Sequence, residues 1–230
     1  MKAEKTIGIL LIAGAIGVFV PYTILSIIFE YPLILRQQPG TILTKFHQGG
    51  GRLTLTWWAF ATLGLPLLVA YIKIGQWLQN KTSFMQWITV IGIISGIAQI
   101  IGLLRWVFVV PVIANNYVNA SSDVAREIAI SNFQLVHQFG GVLLGEHIGQ
   151  LFTIIYTIVL CYAFLQLKLF PQWISWFGFV AAAIYLLAQA DLFAIVIPGF
   201  PVVAMAGFIG STLWLLWLLL TGVLLLRRKS

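Results

Sequence analysis

Apolar residues in this chain come in runs too long for a soluble core. Six runs stand out, near Ile7–Phe29, Leu53–Ile74, Trp87–Ile113, Phe133–Leu167, Trp173–Ile197 and Val202–Leu226. Each is at least as long as the roughly 20 residues that cross a bilayer as a helix. The breaks between them are polar and carry turn chemistry. "EYPLILRQQPG" and "HQGGGR" bring Pro, Gly and charge, "QNKTS" and "KLFPQ" are short connections, and "IPGFP" is a tight turn. The pattern predicts an all-α fold, an integral membrane bundle of six transmembrane helices in a single transmembrane domain over residues 1–230. The fourth run exceeds what a bilayer requires, so its first turns are expected outside the bilayer or at its interface. Ser121 or Ser122, with acidic residues just after, predicts a capped interfacial helix leading into it. "HQGGGR" is read as a turn into the second span, and Pro21 and Pro66 are candidate kinks.

Composition sharpens this picture. Hydrophobic residues make up 60% of the chain and charged residues only 8%, against about 25% charged in a soluble domain. The net charge of +7 does not indicate nucleic-acid binding, because the basic residues sit in loops and termini with no basic helical face. They read as topology signals. Lys2, Lys5, Lys73, Lys81, Lys168, Arg227, Arg228 and Lys229 fall on the side of the termini, and Arg36, Lys45, Arg52 and Arg126 on the other. Eight against four predicts cytoplasmic N and C termini, with the connections 30–52 and 114–132 facing outward. Trp57, Trp58 and Trp106 fit an outer aromatic belt, and Trp77, Trp87 and Trp173 an inner one. The first run is too long for a signal-peptide core and is read as an uncleaved first helix. Cys161, the single cysteine, reads as a small buried hydrophobe.

Ionisable residues inside a span are costly and are candidate functional groups by default. Arg105, Glu146 and Asp191 qualify, with His137 and His147 beside them. Counted from the span ends, all fall in the outer half, level with Glu30, His47 and Arg52. In "VHQFGGVLLGEHIGQLF", Gly141, Gly145 and Gly149 are spaced by four, so that another backbone can come close. Glu146, Gln150, Thr153 and Thr157 form a polar stripe beside them. In the third span Gly92, Ser95, Gln99, Gly102 and Trp106 share a face with Arg105 next to it; in the fifth, Gly178, Ala181, Ala182, Tyr185 and Gln189 do. Packing these faces together predicts an outward-facing polar pocket among spans three, four and five. Arg105 needs a carboxylate or an anionic ligand. Glu146 is its expected partner, with Asp191 the alternative.

His47, His137, His147 and Glu146 are candidate metal ligands, since three imidazoles and a carboxylate make a valid zinc set. A transition metal is the one cofactor this composition implies. The spacing works against it: His137 and His147 lie about 15 Å apart along a helix, and this is not the His-x-x-x-His of a zincin. No nucleophile elbow, phosphate loop or dinucleotide fingerprint is present.

"FEYPLILRQQPG" leading to "FHQGGGRLTLTWWAF", then "RWVFVVP" and "GEHIG", resembles an uncharacterised family of bacterial six-helix membrane proteins known only as a domain of unknown function. The resemblance covers nearly the whole chain. It implies a bacterial inner (plasma) membrane protein and no activity. It carries Glu30, Tyr31, Pro32, Arg36, Arg105, Glu146 and His147 as the residues of interest, and makes the connection from Glu30 to Arg52 a lid or rim.

The leading functional expectation is a pocket that binds, and in one version carries, a small molecule or lipid headgroup. Arg105, Glu146, His147, His137, Gln150, Gln99, Asp191, Glu30 and Arg36 would be its ligand-binding residues. A metal-assisted intramembrane enzyme, with Glu146 as general base, is the alternative. A structural membrane protein without ligand is the third reading, and it requires Arg105, Glu146 and Asp191 to pair completely and leave no cavity. The expected partners are the lipid bilayer and a small molecule or lipid; nothing in the sequence fixes an oligomeric state.

Overall fold

The computed structural model describes residues 3–79, 81 and 84–228; Lys2 and Lys229 lie outside the described residues. Among them there is no strand. The helices are α1 (Ala3–Ile28), α2 (Pro39–Thr62), α3 (Leu65–Leu78), α4 (Met85–Phe108), α5 (Val110–Val118), α6 (Asp123–Val136), α7 (Gln150–Gln166), α8 (Gln172–Leu187), α9 (Gln189–Ala194) and α10 (Ala206–Arg227). A 3-10 turn, Leu33–Arg36, lies between α1 and α2, and a π-helix, His137–Gly149, joins α6 to α7. Together they make six passes long and apolar enough to cross a bilayer. The chain is an integral, multi-pass membrane protein, and its even number of passes puts both ends on one side.

Several passes are longer than a bilayer needs, and the sequence shows where they bend. Pro39–Leu78 spans 40 residues, about 60 Å if straight. It breaks twice. Gly50 in "HQGGGR" adopts φ 53° and ψ −148°, a backbone region suited to glycine. Pro66 then stands in the first turn of α3, just after α2 ends, where a missing N–H costs nothing. Pro111 does the same at the start of α5. Ser122 caps α6, accepting from the Ala125 N–H at 3.2 Å. Pro21 stands inside α1.

Helices in lipid gain little from burying apolar surface, because the tails are as apolar as leucine; close packing and interhelical hydrogen bonds hold them together. Two packed regions result. Near the termini, α1, α3, α4, α7, α8 and α10 interlock around Tyr71, Tyr156, Leu160, Phe164 and Trp217, with Cys161 fully buried. The Trp217 indole donates to the Ile174 carbonyl at 3.0 Å, and the Trp214 indole to Thr157 Oγ1 at 3.1 Å. In the opposite half, aromatic residues converge from α1, α2 and α4. Trp57 stacks on Trp106 with centroids 4.8 Å apart, and Phe29 meets both edge-on.

A close backbone-to-backbone crossing sets α4 against the π-helix. A Cβ on Gly102 would stand 2.7 Å from the Gly145 Cα, and backbone cannot yield as a flexible side chain can. Replacing Gly102 with Ala is therefore expected to destabilise the protein by about 1–3 kcal/mol, as overpacking does. Gly51→Ala, where an added Cβ has nothing within 4 Å, should leave stability unchanged. Thermal unfolding of the two variants in detergent checks the contrast.

Candidate functional site

A cavity of about 280 Å³ opens in the half of the bundle away from the termini. Arg36, Arg105, Glu146, Gln150 and Asp191 border it. It reaches beyond the three spans expected from the sequence, since α1, α2, α3 and α10 supply walls too, among them Tyr22, Trp57, Tyr71 and Ser211.

The π-helix explains how Glu146 comes to this wall. A π-helix bonds i to i+5, so residues five apart share a face. Gly141 and Glu146 both border the cavity; on an α-helix they would point about 140° apart at 3.6 residues per turn. The three glycines face α4 in antiparallel order. Gly141 lies against Arg105, Gly145 against Gly102, and Gly149 against Gln99.

Glu146 does not pair with Arg105. Its Oε2 accepts from Arg36 Nη2 at 2.8 Å, which corrects the expected partnership. Arg36 can reach because the 3-10 turn folds back over the bundle. The pair is open to water on one side, Arg36 being 40% and Glu146 18% exposed. Arg105 is buried on α4 and has no carboxylate within ion-pair distance among the described residues. It donates to its own helix at the Gly102 carbonyl, and through Nη2 to His137 Nδ1 at 3.4 Å. Its Nε has no acceptor. A Cβ at Gly141 would collide with this guanidinium, so the glycine makes the room that Arg105 occupies. Asp191 is the other correction, for it pairs with no arginine, and its Oδ1 has no partner.

The remaining candidates take separate places. Gln99 donates to Thr153 Oγ1 at 2.9 Å, and Ser95 to the Gly149 carbonyl at 2.8 Å, which ties α4 to α7 at the cavity wall. His147 Nδ1 lies 2.8 Å from Gln189 Oε1, and Gln189 donates to Gln150 Oε1 at 3.1 Å. His137 stacks on Phe133 behind Arg105. Neither histidine borders the cavity. Glu30 pairs with Lys45 at 2.5 Å and stands outside the cavity as well. Tyr31, from the same connection, does border it, and burial first, then the Glu146 charge, holds its phenol neutral by raising its ionisation.

The metal set does not assemble. His47 is exposed on α2, His137 and His147 have the partners just named, and Glu146 is held by Arg36. Among the described residues no three His, Cys, Asp or Glu side chains come together as ligands.

The family described as a domain of unknown function (DUF4386) matches over residues 6–222. The chain belongs to that family. Every residue that borders the cavity falls inside the matched stretch. No curated protein and no solved structure matches the chain. What the DUF4386 match leaves to geometry is the role of the cavity. Trp57 was read from the sequence only as a belt residue, although it borders the cavity; Trp106 was read both as belt and as part of the third-span face, and it borders the cavity too. The α10 wall had one legible signal, Gly207 and Ser211 four apart in an apolar helix.

A double-mutant cycle checks the partner assignment. Arg36→Gln with Glu146→Gln should show a coupling of about 1 kcal/mol or more, between the exposed and buried limits for ion pairs. Arg105→Gln with Glu146→Gln should couple by less than about 0.5 kcal/mol, as groups without a shared contact do. Unfolding midpoints of the wild type, the three single and the two double variants give both numbers.

Proposed function

We propose that this membrane protein binds a small molecule or lipid headgroup in the cavity, from the outer side of a bacterial plasma (inner) membrane. One observation carries the reading: Arg105 is buried in a span, borders a cavity and has no carboxylate partner. A charged guanidinium taken out of water needs a counter-charge. An anionic group in the cavity supplies it. The outward orientation rests on the eight basic residues on the side of the termini against four on the other.

The arrangement weighs against a purely structural role, which needs the buried charges to satisfy one another. It supports binding more than carriage. Carriage needs a way to the other face, and there Tyr71, Tyr156, Leu160 and Trp217 pack into a closed core. The connection carrying Tyr31 and Arg36 forms the rim on the open side, with Arg36–Glu146 as its polar tie to the π-helix.

Native mass spectrometry of protein released in a mild detergent tests the reading. The wild type is expected to retain a small-molecule or lipid adduct, Arg105→Gln to lose it, and Arg105→Lys to keep part of it. An equal adduct on Arg105→Gln, or none on the wild type, overturns the proposal.

A further inference from the structure

Resting on the reading that the cavity is a binding site, we infer that its occupant is a zwitterionic amphiphile: an oxyanion at Arg105, an ammonium at Asp191 and an apolar tail in the deeper end. The unpartnered polar atoms of the residues that border the cavity divide by chemistry. Arg105 Nε, Trp57 Nε1 and Trp106 Nε1 have no acceptor, and all belong to side chains on α2 and α4 that border the cavity. Guanidinium and indole can only donate. On the π-helix and α9, Glu146 Oε1 and Asp191 Oδ1 have no partner, and ionised carboxylates can only accept. Buried polar atoms are rarely left unpaired in a folded protein, and these sort by chemistry, donors on the α2 and α4 side and acceptors on the π-helix and α9 side.

Charge balance narrows the class. Arg36 and Glu146 close on each other. That leaves one positive and one negative side chain, Arg105 and Asp191, which share the cavity but not a contact. A simple anion would satisfy Arg105 and add to the charge of Asp191. A simple cation would do the reverse. A head with an oxyanion and an ammonium answers both.

Depth supplies the tail. The lining residues of α4 run from Trp106 down to Gly96, about 15 Å along the axis at 1.5 Å per residue. The charged groups stand at the upper level. Leu67, Leu68 and Leu215 border the lower end beside Tyr71, where no charged side chain does. A polar head above and an apolar chain below match that gradient, and the same head chemistry occurs in a phospholipid and in a free phosphoamine.

The test reads thermal unfolding in an uncharged maltoside detergent with four added probes. These are lysophosphatidylethanolamine, lysophosphatidylglycerol (the anion without the ammonium), a long-chain alkylammonium (the cation alone), and free phosphoethanolamine (the head without the tail). Lysophosphatidylethanolamine is expected to bind roughly tenfold tighter than either single-charge amphiphile, the scale of one hydrogen bond to a charged group. Asp191→Asn should erase its advantage over lysophosphatidylglycerol, and Arg105→Gln its advantage over the alkylammonium. Both variants must keep the wild-type unfolding midpoint without probe to within a few degrees. If one does not, Ser211→Phe, which fills the cavity without touching a charge, must abolish the same shift. Equal affinity for the zwitterionic and anionic amphiphiles overturns this inference and leaves the binding reading standing. No response to any probe overturns this inference, and the binding reading falls only if the wild type also carries no adduct. A response to free phosphoethanolamine as large as to the lipid overturns the tail and keeps the head.

Discussion

The close crossing of α4 and the π-helix is the contact on which the site depends. In lipid, two helices gain most where small residues let their backbones meet. Gly102 and Gly145 provide that meeting point. One turn to either side, the same crossing lays Arg105 against Gly141 and Gln99 against Gly149. A guanidinium inside a membrane is tolerated where protein surrounds it, and Gly141 is the surface that surrounds this one. Ser95, Gln99 and Thr153 then knit the helices together with hydrogen bonds below it.

The π winding turns that contact into a site. Glycine is a weak α-helix former, and "HQFGGVLLGEHIG" holds Gly140, Gly141, Gly145 and Gly149, so tertiary packing decides how the segment winds. With five-residue spacing, Gly141 and Glu146 reach the cavity together. Glu146 then meets Arg36 from a connection more than a hundred residues away in the sequence. Arg105, freed of that carboxylate, and Asp191, freed of any arginine, remain as opposite charges on one cavity. The two halves of the bundle divide the work. The half near the termini is closed by interlocking aromatic and aliphatic side chains, while in the other half aromatic packing from α1, α2 and α4 stops short of filling the space.

What the sequence determined is what depends on local composition and period. Six apolar runs made six passes, because a bilayer leaves a helix as the only way to satisfy each backbone group within its own segment. Breaks were legible at Gly50, which takes a left-handed backbone inside α2, and at Pro66, which opens α3. Ser122 was legible as a cap, Cys161 as core, and the glycine ladder as a place of close approach. Counting along spans grouped Arg105, Glu146 and Asp191, and the three border one cavity.

Tertiary structure decided what pairs with what. Sequence distance placed Arg105 opposite Glu146, yet Arg36 took that carboxylate, since a connection that folds back over the bundle brings in residues no span-by-span count can place. In the fourth pass the glycines met α4 at the spacing of four drawn from the sequence, but that the segment winds as a π-helix had no sequence signal. The histidines were grouped by residue type, but His47, His137 and His147 point into three different surroundings. The walls from α1 and α10 are apolar helices with little polar signal of their own. A cavity is the space that packed surfaces fail to fill, so its shape belongs to the packing of helices and not to any one stretch of sequence.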